Sequence, residues 1–182
     1  MAKAIGMIEF KTVSAGLTAA DQMAKAAEVE IIEAQVVCPG KYIALIRGEL
    51  SAVKAAVESG IATRSDEYID SFVLGNPDES IFAAIYGSAD IEGVQALGVL
   101  ETYDAAAIIV AADTAAKTAE VSLIELRIAK GMCGKSYMLI TGEVAACTAA
   151  IEKAKMSVGD SGMFLDSSVI ARPDPQIVRT FI

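Results

Sequence analysis

The chain has 182 residues, 24 of them acidic and 15 basic, with a net charge of −9 and no histidine. That balance speaks against DNA or RNA as a partner, because binding a polyanion needs a basic face. The missing histidine removes the commonest general base and every histidine-containing zinc site.

Hydrophobic residues make up 54% of the sequence, aromatics only 5%, and the mean hydropathy is +0.48. The excess is therefore carried by small apolar side chains, above all alanine. No apolar run approaches the ~18 residues that span a bilayer, and the longest, 105–112, is closed by Asp104 and Asp113. A chain this apolar without a spanning segment is expected to hide surface between subunits as an oligomer. Three cysteines with no CxxC pair are not a disulfide framework. With no basic n-region and apolar h-region at the start, the expectation is a reducing cytosol and no membrane.

The predicted elements run in the following order. A strand over 4–10 leads into an alanine-rich helix over 15–27, in which Leu17, Ala20, Met23, Ala24 and Ala27 recur at helical spacing as one apolar stripe. A second strand over 29–37 reaches a turn, Cys38-Pro39-Gly40, and a third strand over 41–47 returns from it. Gly48-Glu49 opens a second helix, which Gly60 is placed to end. A fourth strand follows near 67–74, and a short helix after Pro77. The pattern then repeats: strand 96–102, helix 107–119, strand 121–129, a glycine-rich turn, strand 135–141, a helix from Gly142-Glu143, a strand near 163–171 and a short helix after Pro175.

The repeat is visible residue by residue. At a shift of 92, Gly6, Glu9, Asp21, Lys25, Glu28, Val29 and Glu33 match Gly98, Glu101, Asp113, Lys117, Glu120, Val121 and Glu125. After a two-residue insertion, Gly48 and Glu49 match Gly142 and Glu143. Alanine-rich composition can imitate part of such an alignment but not its matched Gly, Asp, Glu and Lys. The chain is thus two copies of one domain, expected at 1–92 and 93–182. Each is an α+β unit, a small antiparallel sheet with helices on one face.

These residues resemble a known family. AIGMIEF with AADQMAKAAEVEIIE, then ALIRGELSAVKAAVESG, is similar to the bacterial microcompartment (BMC) shell-protein domain. ALGVLETYD, AADTAAKTAEV, LITGEVAACTAAIE and SSVIARPDP resemble it again in the second copy. With CPGKY in its first turn, the fused pair is most similar to tandem shell subunits of propanediol-utilisation compartments, a subtype that carries an iron–sulfur cluster. The resemblance implies a ferredoxin-like fold and a cytoplasmic microcompartment shell. It implies a homotrimer that mimics a hexameric tile, and no enzymatic activity. It further implies packing against other shell proteins through edges that include Lys25, Lys117 and Arg172. At the position of Arg172 the first copy has Asn76.

In the family the turn between the second and third strands faces the central hole of the tile. A threefold axis would bring three Cys38 thiolates together, enough for most ligands of a 4Fe–4S cluster. Cys38 is therefore the expected metal and cofactor residue, with one cluster per trimer. The implied role is electron transfer across the shell, or cluster delivery, with encapsulated redox enzymes as further partners. Pro39 stiffens the turn, Gly40 lets it bend tightly, and Lys41, Lys130 and Lys135 bring positive charge that favours a thiolate. Cys133 lies in the equivalent turn of the second copy and competes for the same hole, although the Cys-Pro-Gly match favours Cys38. Cys147 reads as a small buried residue. The alternatives are a plain tile whose turns form a metabolite pore, or a small regulatory or catalytic oligomer. The lack of histidine, of a phosphate-binding loop and of paired carboxylates weighs against the last.

Overall fold

The computed structural model describes residues 3–91 and 93–181. They form two compact units, Met1–Pro77 and Asp78–Ile182. The first contains β1 (Lys3–Phe10), α1 (Val13–Ala26), β2 (Val29–Val37), β3 (Lys41–Glu49), α2 (Leu50–Thr63) and β4 (Tyr68–Gly75). The second opens with α3 (Ser80–Tyr86). It continues through β5 (Ala96–Thr102), α4 (Ala105–Thr118), β6 (Val121–Arg127), β7 (Ser136–Gly142), α5 (Val144–Gly159), β8 (Phe164–Ala171) and α6 (Pro175–Val178).

Each unit holds a four-stranded antiparallel sheet, ordered β2-β3-β1-β4 in the first and β6-β7-β5-β8 in the second. This is the βαββαβ ferredoxin-like topology expected from the sequence. The duplication reaches the irregularities of the ladders. A bulge lies between Ile31 and Glu33 in one copy and between Leu123 and Glu125 in the other. A second pair follows Glu9 and Glu101. Bulges placed alike in both copies are inherited bends of the sheet.

Four expectations need correction. The expected boundary at 92/93 differs from the compact units: α3 packs on β6 and α4 and buries Ile81, Phe82 and Ala84, so 78–91 belongs with the second unit. The helices expected from 15 and 107 start two residues earlier, because the side chains of Thr12 and Asp104 accept hydrogen bonds from Ala15 and Ala107 N–H and cap the first turn. The strand expected over 121–129 stops at Arg127, since Ala129 takes a left-handed φ of 52° that a strand does not accommodate. Gly60 does not end its helix, which runs on to Thr63. A Cβ at Gly60 would lie 2.7 Å from Met23 Cγ and 3.0 Å from Ile8 Cδ1, so this glycine serves close packing of α2 on α1 and the sheet.

The core of the first unit is thin. Ala4, Ile8 and Phe10 of β1 and Ala44 and Ile46 of β3 meet Ala15, Ala19, Ala20 and Met23 of α1 and Val53, Ala56 and Val57 of α2. The buried side of α1 is therefore Ala15, Gly16, Ala19, Ala20 and Met23, while Leu17 lies outside it, more than half exposed at 54%. Gly16 sits directly over Tyr42, where a Cβ would lie 2.5 Å from Tyr42 Cβ. Overpacking of this kind costs about 1–3 kcal/mol. Gly16→Ala should lower the free energy of unfolding by that amount, read as a lower urea midpoint with an unchanged slope; an unchanged midpoint would show that α1 can lift off the sheet freely.

Candidate metal-binding turn and tile edges

The turn that carries Cys38 is short because the flanking ladder runs to its end. Val37 of β2 pairs with Lys41 of β3, leaving three residues to reverse the chain. Gly40 N–H donates to Val37 O at 2.9 Å. The Cys38–Pro39 peptide is cis, which places proline at the third position of a type VI turn, and Gly40 has a φ of 102°. Cys38 is a free, half-buried thiol at the tip. Lys41 does not stand beside it as an open charge: its Nζ lies 2.5 Å from Glu9 Oε1, and Glu9 is buried. Sequence reading missed this partner: a buried carboxylate needs a cation, but the burial of Glu9 shows only in the structure.

The equivalent connection in the second unit is built differently. Ladder pairing stops at Arg127–Tyr137, and residues 128–135 form an open loop. Gly131, Cys133 and Gly134 all have positive φ, and Ser136 Oγ accepts from Ala129 N–H at 3.0 Å. Cys133 is exposed; Cys147 is fully buried in α5, where burial pushes its thiol pKa up. Among the described residues no group of three or more Cys, Asp or Glu is arranged to hold a metal within one chain.

The expected edge residues lie where the repeat predicts. Lys25 pairs with Asp21 at 2.6 Å on the open surface of α1, and Lys117 pairs with Asp113 at 2.7 Å on α4. The strand registers Ala4–Gly75 and Ala96–Ala171 make Asn76 and Arg172 equivalent. Both are exposed and left-handed, with φ of 53° and 49°. The backbone corner is kept in both copies, and only the second supplies a guanidinium.

The sheet faces turned away from α1/α2 and α4/α5 differ in cover. Met7 and Ile43 are buried in the first unit, whereas their repeats Val99 and Tyr137 are only half-buried. On the open face Tyr137 Oη donates to Glu125 Oε2 at 2.7 Å and Arg127 stacks over the ring. Desolvation, then the bond to Glu125, pushes the Tyr137 phenol up to about 12.

Residues 4–77 and 96–173 match the BMC domain family. The full chain is 36% identical to the bacterial microcompartment shell protein PduT of Citrobacter freundii, covering 99% of that protein. The chain belongs to the BMC-domain family of bacterial microcompartment shell proteins. It is also 30% identical, over 94% of its length and 66% of the relative's, to the carboxysome assembly protein CcmO of Synechococcus elongatus. A microcompartment protein from Desulfitobacterium hafniense superposes with a TM-score of 0.94 at 40% identity, over 97% of this chain and 98% of the other. A fused permuted hexameric shell protein from the RMM microcompartment shares the fold alone, with a TM-score of 0.65 at 20% identity over 87% and 84% of the two chains. Among the described residues no helix of this shell protein is long and apolar enough to cross a membrane.

The three thiols of this shell protein differ in access, which sets their reactivity. In native protein Ellman's reagent should label Cys133 fastest and Cys38 more slowly, and should reach Cys147 only after unfolding. Three thiols reacting at one rate would show that α5 does not protect its cysteine.

Proposed function

We propose that this shell subunit assembles as a homotrimer forming a pseudohexameric tile, and that three Cys38 thiolates on its threefold axis hold one 4Fe–4S cluster. The observation that carries the cluster is a free, half-buried thiol at the tip of a three-residue turn, present in one copy of the repeat only. Its donor chemistry suits such a cluster.

Cys38 would supply one ligand per chain, with Pro39 and Gly40 shaping the turn around it. Engagement of Lys41 by Glu9 keeps that ammonium anchored beside the turn. A bound cluster would supply one-electron transfer across the shell, with encapsulated redox enzymes as partners, or would be delivered to them. Lys25, Lys117 and Arg172 lie at exposed positions suited to edge contacts with other shell proteins, and Asn76 makes alternate edges unlike. The role is structural and electron-conducting, with no catalysis by the chain's own groups.

Anaerobic purification followed by iron and sulfide analysis tests this. The expected result is one cluster per three chains with a broad visible absorption that Cys38→Ser abolishes and Cys133→Ser leaves largely intact. A trimer that stays colourless and iron-free after cluster reconstitution would overturn the metal site and leave a plain tile with a metabolite pore.

A further inference from the structure

Both copies form a cleft where the second strand of the unit starts and the third one finishes, but they furnish it differently. In the first unit Glu28, Glu30, Arg47, Gly48 and Glu49 line it. The chain supplies the cation for this acidic corner itself. Glu30 and Arg47 are partners in the β2–β3 ladder, and Arg47 Nε and Nη2 each lie 2.7 Å from Glu30 Oε2.

In the second unit the repeated positions line a cavity of about 380 Å³, closed on another side by the residues that lead into β5. The acid is kept: Glu120 repeats Glu28, and Asp90 adds a second carboxylate. The cation is not kept. Ser122 and Thr141, again ladder partners, stand where the first copy has Glu30 and Arg47. No described residue lining this cavity is basic.

Thr141 carries the second observation. It is 6% exposed, and its hydroxyl has no hydrogen-bond partner among the described residues. Polar groups that deep in a fold are ordinarily paired, so this hydroxyl points to a partner from outside the chain.

We infer that the cavity binds a small guanidinium compound, which takes the place that Arg47 holds in the first copy. A guanidinium carries only donors, and the lining answers with acceptors: the carboxylates of Asp90 and Glu120 and the hydroxyls of Ser122 and Thr141. Its planar fork matches a carboxylate, as Arg47 matches Glu30. The second copy is thus a vacated arginine site that keeps its acid. The inference rests on neither the trimer nor the cluster.

A proton–nitrogen NMR titration of the full-length chain with methylguanidinium chloride tests this, with sodium chloride at equal ionic strength as the control. In wild type the amide signals of Ser122, Thr141 and Gly142 should shift saturably. Glu120→Gln and Thr141→Val should each weaken binding by about tenfold or more, the scale of a lost hydrogen bond to a charged group. Thr141→Arg, which gives the second copy the first copy's residue, should abolish it. Glu120 is exposed, so Glu120→Gln keeps the test valid where a variant at buried Thr141 fails to fold. No saturable shift in wild type, or binding that Glu120→Gln leaves unchanged, would overturn the inference. Equal affinity for calcium chloride or for glycerol would also overturn it, by showing a site for any cation or for any hydroxyl compound.

Discussion

The fold depends on how closely two helices approach each sheet. Gly16 lies over Tyr42, Gly60 against Met23 and Ile8, and Gly6 beneath Val53 and Val57, each at a spacing that a Cβ would violate. Alanines fill most of what remains of the helix faces. Burial of small side chains gives little hydrophobic gain per residue, because the gain scales with the apolar area removed from water. Such a thin domain has few inward positions for larger apolar groups. Val13, Leu17 and Ile31 stand outside the first core, and the high mean hydropathy of the chain is partly a statement about surface.

Most of the fold was legible because its signals are local or repeated. Strand and helix order followed from periodicity, and duplication converted weak matches into a reliable frame. The failures have physical causes. Gly60 reads as a helix stop by its type, but only the neighbouring side chains show that it is a point of close approach. Leu17 belongs to the helical stripe by spacing, yet the sheet takes the face formed by Ala15, Gly16, Ala19 and Met23. The α3 segment follows the first copy in the chain and packs with the second, a tertiary choice that no local pattern announces. At the candidate site, the Cys-Pro-Gly turn was legible from residue type. The pairing of Lys41 with buried Glu9 was not, because it depends on register across β1 and β3.

Fusion changes what the two copies are free to do. A single-domain tile repeats every feature at every corner, whereas a fused pair repeats each feature at alternate ones. The chain uses that freedom unevenly. Bulges, helix starts and the backbone corner at Asn76 and Arg172 are alike in both copies, where a change would bend the sheet or its exit. The turns after β2 and β6 differ in length, conformation and cysteine placement, because a hairpin tip can change without disturbing the ladder behind it.

Assembly and the proposed metal site are consequently linked through mass action. One chain presents one Cys38, so a three-thiolate site does not exist until chains meet. A ligand that binds only the assembled state stabilises it by an amount that grows with the logarithm of its concentration over its dissociation constant. Three thiolates on an axis would therefore hold the ring closed as well as hold the cluster, and loss of the cluster would weaken the ring.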